Sequence, residues 1–285
     1  MTIFRNDAGE IRLVWRLILI VLLYVLAAVL LRLIPVVLYA AVLVSGGMVL
    51  RSALDQASSI ILNNPVWNTA IGILSGLIGL FIVWFLIRKI EKSSFKWKSV
   101  GLDWKINSLL FILLGAVLAF ILLAASLLTG NILGLNSTPL DGVMRGISIP
   151  ILLQNLVLYL AMGLGEEVVF RGYVQTRLVE RYKAVWGILI AAVIFVLLHQ
   201  VSYNLSPNII LSGVMLWTAI GALYYLTRSL YFVIAFHGVM NALQNPLHLE
   251  IGDISSTIVN ALALFLIIVF VLVRSRASAI RSNAV

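Results

Sequence analysis

Long apolar runs govern what this chain can fold into. Near residues 15–34, 67–87, 108–129, 150–165, 184–201, 208–227, 230–247 and 256–273 the sequence is almost free of charge. About 20 such residues in an α-helix cross roughly 30 Å of hydrocarbon. Backbone N–H and C=O groups find no water there, so a crossing segment must satisfy them as a helix or a closed barrel. The short alternating segments of a barrel are not seen. The expected fold is therefore all-α, a polytopic transmembrane helix bundle of about eight spans. Composition agrees, with 62% hydrophobic and 11% charged residues against about half and a quarter in soluble domains. The fourth and seventh runs are short or interrupted. Arg32 and Pro35 leave two readings for "PVVLYAAVLV", an extension of the first span or a separate interfacial segment.

Charge placement orients the bundle, because Lys and Arg collect on the cytoplasmic side. With both termini inside, the inner segments hold Arg5, Arg12, Arg16, Arg88, Lys89, Lys92, Lys96, Lys98, Lys105, Arg171, Arg177, Arg181, Lys183, Arg228, Arg274, Arg276 and Arg281. That is 17 of the 20 basic residues, leaving Arg51 and Arg145 outside and Arg32 within a span. The outer connections carry Asp55, Asp141, Glu250 and Asp253. The net charge of +9 thus reads as membrane orientation and not as a nucleic-acid surface, since the basic residues sit in short loops between spans.

The first apolar stretch runs past Leu31 without a small-residue cleavage site, so it reads as a retained helix and not a signal peptide. No cysteine is present, which excludes disulfides, thiolate metal sites and Cys nucleophiles. The inner segment "RKIEKSSFKWKSVGLDWKIN", residues 88–107, is too short for a core of its own. Its Phe95, Trp97 and Trp104 among lysines place it at the headgroup level. Short loops and compact length suggest a prokaryotic plasma membrane.

Charge inside a membrane is costly, about 2.5 to 3.5 kcal/mol at a helix centre on insertion scales, so an intramembrane ionisable group is a functional candidate. From residue 150 onward the candidates are Glu166, Glu167, Arg171, His199 and His237, with Asn241 as a polar companion. His248, beside Pro246, is set aside as an outer-edge residue. If residues 164–181 are helical, Glu167 and Arg171 pair at i and i+4, while Glu166 points about 100° away. One carboxylate is neutralised and the other left free. Phe195 and His199 share a face by the same spacing, as do His237 and Asn241. Taken singly, each motif also reads as a structural ion pair or an interhelical hydrogen bond. Together, a free glutamate, two histidines and an amide supply a base for water, a proton carrier and oxyanion donors.

The order Glu166-Glu167-Val168-Val169-Phe170-Arg171-Gly172, then Phe195 to His199, then His237 to Asn241 resembles the signatures Glu-Glu-x-x-x-Arg, Phe-x-x-x-His and His-x-x-x-Asn/Asp. Those belong to the CPBP family of CAAX proteases and bacteriocin-processing enzymes, also called the Abi family. The resemblance covers about residues 150–245. It implies an intramembrane endopeptidase in which Glu166 activates water with the help of His199, His237 and Asn241 bind the oxyanion, and Glu167 and Arg171 support them. The implied substrate is a membrane-associated protein or peptide, either a prenylated CAAX protein or a bacteriocin precursor. Its site would open toward the cytoplasmic leaflet.

The chain accordingly divides into N-terminal spans at 1–149, a catalytic core at 150–250, and a last span with a basic tail at 251–285. Two mechanisms stay open. Glu166 and His199 act on water without a metal, the favoured version, or Glu166, His199 and His237 hold a zinc ion that lowers the water pKa. The His-Glu-x-x-His helix of ordinary zinc proteases is missing. Two other functions compete: a proton-coupled transporter built on a Glu/His relay, and a non-catalytic scaffold or bacteriocin-immunity protein.

Overall fold

The computed structural model describes residues 3–5, 9–135, 148–199, 206–247 and 254–282. Nine α-helices stand among them: α1 (Leu13–Ser45), α2 (Leu50–Leu62), α3 (Pro65–Phe85), α4 (Ser108–Ile132), α5 (Ile149–Glu167), α6 (Thr176–His199), α7 (Pro207–Thr227), α8 (Leu230–Leu247) and α9 (Ile254–Ser282). A π-helix over Val168–Gln175 joins α5 to α6, a second one over Leu86–Ile90 extends α3, and a 3₁₀ turn covers Trp97–Val100. The described residues contain no strand, only an isolated bridge between Arg5 and Ile11. Asp141, Arg145, His248, Glu250 and Asp253 lie outside the described residues.

Local chemistry fixes several helix starts. Pro65 at the first turn of α3 needs no N–H partner, and the Asn64 side chain accepts from the Val66 and Trp67 amides. Ser206 and Pro207 repeat this pairing at α7, with the Ser206 hydroxyl accepting from the Ile209 amide. In α1 the helix continues through Pro35 to Ser45, so "PVVLYAAVLV" extends the first span. The sequence reading did not anticipate α2. Its Ala53, Ala57 and Ile61, spaced by four, cover Val36 and Ala40 of α1.

Among the described residues six segments are long and apolar enough to cross a membrane: Leu13–Ser45, Pro65–Ile90, Ser108–Ile132, Ile149–His199, Pro207–Thr227 and Ile254–Val271. That measure gives six where eight were expected, because it takes Ile149–His199 as one run and leaves out the shorter apolar helix Leu230–Gln244. The fused run is not straight, because Lys183 interrupts it with φ 68° and ψ 171°. The chain is an integral membrane protein.

Packing follows one path: α3 lies on α5, α5 on α8, α8 on α4, α4 on α9, α9 on α7 and α7 on α6, with α1 against α3 and α2. The Val168–Gln175 π-helix sits inside this path and touches α1, α3, α5, α6, α7 and α8. All eight of its residues are buried. Small residues bring α3 and α5 together. A Cβ at Gly79 would stand 2.6 Å from the Gly165 Cα, and one at Gly165 2.6 Å from the Ser75 carbonyl oxygen. Without a driving force from water, such close backbone packing is what holds membrane helices together. It also fixes the height of Glu166, the next residue in the chain.

Candidate active site

Glu166 and Glu167 end α5, where the chain passes into the π-helix. A π segment adds a residue per turn and is rare outside functional sites. The expected uninterrupted α-helix over 164–181 is therefore corrected: residues 168–175 are π-helical. The Glu167 to Arg171 pair forms all the same. Arg171 Nε lies 3.2 Å from Glu167 Oε2, and Nη1 donates to Oε1 at 3.4 Å. Glu167 is fully buried and Arg171 is 2% exposed.

Two aromatic rings complete the surroundings of Arg171. Its guanidinium carbon lies 4.2 Å from the Phe195 ring centroid and 4.6 Å from that of Trp217. The two rings touch each other, with centroids 4.8 Å apart, and the cation rests over both where no water solvates it. Phe195 also meets Phe170 edge-on at 4.9 Å and lies 4.6 Å from the His199 ring. Trp217 is 4.9 Å from the His237 ring. Trp217 carries no motif and was not singled out in the sequence.

Glu167 has a second partner. His237 Nδ1 lies 2.7 Å from Glu167 Oε1, so the carboxylate accepts its N–H and turns Nε2 away. That Nε2 stands 3.7 Å from Glu166 Oε2. On the other side, His199 Nε2 stands 4.0 Å from the same oxygen. His199 Nδ1 lies 2.8 Å from the Phe195 carbonyl oxygen, a contact that needs the proton on Nδ1 and leaves the Nε2 lone pair facing Glu166. The Glu166 side chain is 16% exposed, yet Oε2 is buried and no donor among the described residues reaches it with hydrogen-bond geometry. Three helices thus converge on one carboxylate oxygen. Asn241 lies one turn beyond His237 on α8 and is half-buried.

The zinc alternative was tested on these atoms. Ligands of a tetrahedral zinc lie roughly 3.3 Å apart, whereas Glu166 is 3.7 and 4.0 Å from the two imidazoles. Among the described residues no group of three His, Cys, Asp or Glu is arranged to hold a metal ion. As placed, Glu166 stands wider from both imidazoles than zinc ligands stand from one another, and no step below passes through a metal.

Behind Glu166, Tyr24 of α1 reaches α3, its hydroxyl 3.1 Å from Ser75 Oγ, and its ring meets Phe170 edge-on at 6.4 Å. Neither residue was singled out in the sequence, because a tyrosine and a serine in apolar runs carry no signal of their own. Over Glu166 to Asn241 the chain matches a known family. Residues 148–243 match the family described as Rce1-like, the type II CAAX prenyl endopeptidases. The matched segment is about a third of the chain. The match is consistent with the CPBP resemblance of the three motifs, and it points to a protease. No curated protein and no solved structure matches the chain. The segment similar to that family takes in α5, the π-helix, α6, α7 and most of α8. Tyr24 and Ser75 lie outside it.

Proposed function

We propose that the protein is an intramembrane endopeptidase that hydrolyses a peptide bond of a membrane-associated protein or peptide. The observation that carries this reading is the convergence of His199 Nε2 and His237 Nε2 on Glu166 Oε2. Glu166 is the general base. It takes a proton from a water held between Oε2 and His199 Nε2 as the water oxygen bonds to the scissile carbonyl carbon. The C=O pair moves onto oxygen. His237, with both ring nitrogens protonated between Glu167 and Glu166, donates from Nε2 to that oxyanion together with the Asn241 amide. Collapse restores the carbonyl, breaks the C–N bond and passes the Glu166 proton to the leaving amine. Glu167 and Arg171 support the site by orienting His237.

The description of the family supports a CAAX-type substrate, a prenylated C-terminal segment, and a bacteriocin or other peptide precursor fits the same chemistry. The asymmetry of basic residues supports eight spans with both termini in the cytoplasm and the site toward the inner leaflet, and short loops and compact length favour a prokaryotic plasma membrane. The test is cleavage of membrane-proximal and prenylated peptides by detergent-purified protein. Glu166→Gln is expected to lower kcat by about 10² to 10⁴-fold at an unchanged melting temperature. Equal activity in the variant would remove Glu166 from the mechanism. Wild-type cleavage is expected to survive a chelator, and loss restored by added zinc would replace the metal-free mechanism.

A further inference from the structure

Glu91 stands outside the matched segment, in a stretch rich in exposed lysines, yet its side chain is only 6% exposed. It follows directly on the π-turn that extends α3. Three residues from three elements donate to it. Arg16 Nη1 of α1 reaches Oε1 at 2.7 Å, the Tyr173 hydroxyl of the Val168–Gln175 π-helix reaches it at 2.9 Å, and Arg177 Nε of α6 at 2.9 Å. Arg177 Nη2 donates to Oε2 as well. Arg177 Nη1 also bonds both oxygens of Glu180 at 3.1 Å. A carboxylate with this many charge-assisted bonds is a fixed point and not a solvated surface charge.

Its position gives the fixed point a purpose. Glu166 precedes the π-helix, and the chain after it breaks at Lys183 and turns back so that Gly187 packs on Val179 and Phe195 on Phe170; the segment ending at His199 thus rests on the π-helix and the turn that follows it. Relaxation from π to α winding changes the residues per turn and rotates the turn that follows, up to the break at Lys183, by about 100° for each residue gained or lost, and with it the surface on which Gly187 packs. At its N-terminal end the π-helix is anchored by Glu167 and Arg171. The other end is held by Tyr173 and Arg177, both on Glu91.

We infer that Glu91 is a positioning residue that clamps the C-terminal end of the π-helix and thereby sets the placement of His199 against Glu166. The catalytic consequence rests on the peptidase reading, but the geometric one does not. Because the chain has no cysteine, spin labels can be placed by Val157→Cys on α5 and Leu197→Cys on α6. Both positions are about half exposed, at 51% and 49%. Distances are measured by pulsed electron resonance on the full chain, in Glu91→Gln and in the milder Tyr173→Phe, beside peptide cleavage. A shifted or broadened distance distribution is expected in both variants. A kcat lower by on the order of 10²-fold in Glu91→Gln, with KM little changed, is the expected kinetic counterpart. Unchanged distances in both variants would overturn the clamp, as would a lowered melting temperature with distances and kcat intact. An inactive wild type with shifted variant distances would remove the peptidase reading and leave the clamp standing.

Discussion

Arg171 shows how much one buried charge depends on its neighbours. It lies over the rings of Phe195 and Trp217 and against Glu167, which in turn holds His237. Removing the cation leaves a fully buried carboxylate short of its counter-charge, a change that costs about 3 to 5 kcal/mol. Arg171→Ala is therefore expected to unfold at markedly lower temperature, and Arg171→Lys to fall between the two, because an ammonium keeps the charge and loses the planar stack. Thermal unfolding in detergent decides both. The Glu167 to Arg171 pair was legible in the sequence, since i,i+4 spacing is a local property of one helix. The link from Glu167 to His237 was not, because it joins residues 70 apart through packing that no spacing encodes. Glu91 was hidden for a different reason. Among lysines it reads as one more solvated charge, and only burial by α1 and α6 distinguishes it.

At the scale of elements, hydropathy located the long helices well and their windings poorly. A π segment keeps the same apolar composition as the α-helix on either side, so nothing in "VVFRGYVQ" announces it. The break at Lys183 is equally silent. Its backbone lies at φ 68° and ψ 171°, a region held almost only by glycine and strained by about 1 to 3 kcal/mol for other residues. Lys183→Gly is expected to raise stability by about 1 kcal/mol, the relief of strain less the backbone entropy of glycine. Denaturation curves of the two proteins test this, and an unchanged or lower midpoint would show that the strain is absent. The helix α2 escaped notice because its mixture of Arg51, Asp55, Gln56 and serines hides an alanine stripe that matters only once α1 is beside it.

For the whole molecule, the distribution of lysine and arginine makes a prediction that packing cannot. Residues on the basic loop before α4 and residues on α2 fall on opposite sides of the membrane if both termini are inside. Single cysteines at exposed Lys98 and Gln56, placed in this cysteine-free chain, are expected to differ toward an impermeant thiol reagent. Position 56 should label in intact cells, and position 98 only after permeabilisation. The reverse pattern would invert the bundle and move the site to the other leaflet. The matched segment also depends on what precedes it, since Tyr24, Ser75 and Glu91 border or clamp the site from outside residues 148–243.

The glycine contacts carry one more consequence, for the route a substrate can take. At the α3 and α5 seam Gly79 lies against Gly165. At the α5 and α8 seam a Cβ on Gly238 would come within 2.9 Å of the Leu160 Cα, and at the α4 and α8 seam one on Gly115 would overlap the Phe232 carbonyl. Backbones that close leave no width for a peptide strand, whose own sheet spacing is about 4.8 Å. Three consecutive walls of the bundle are thus shut to traffic from the lipid. On the flank of α6, by contrast, the His199 side chain is 37% exposed, and under the proposed peptidase reading that flank is where a substrate would meet Glu166.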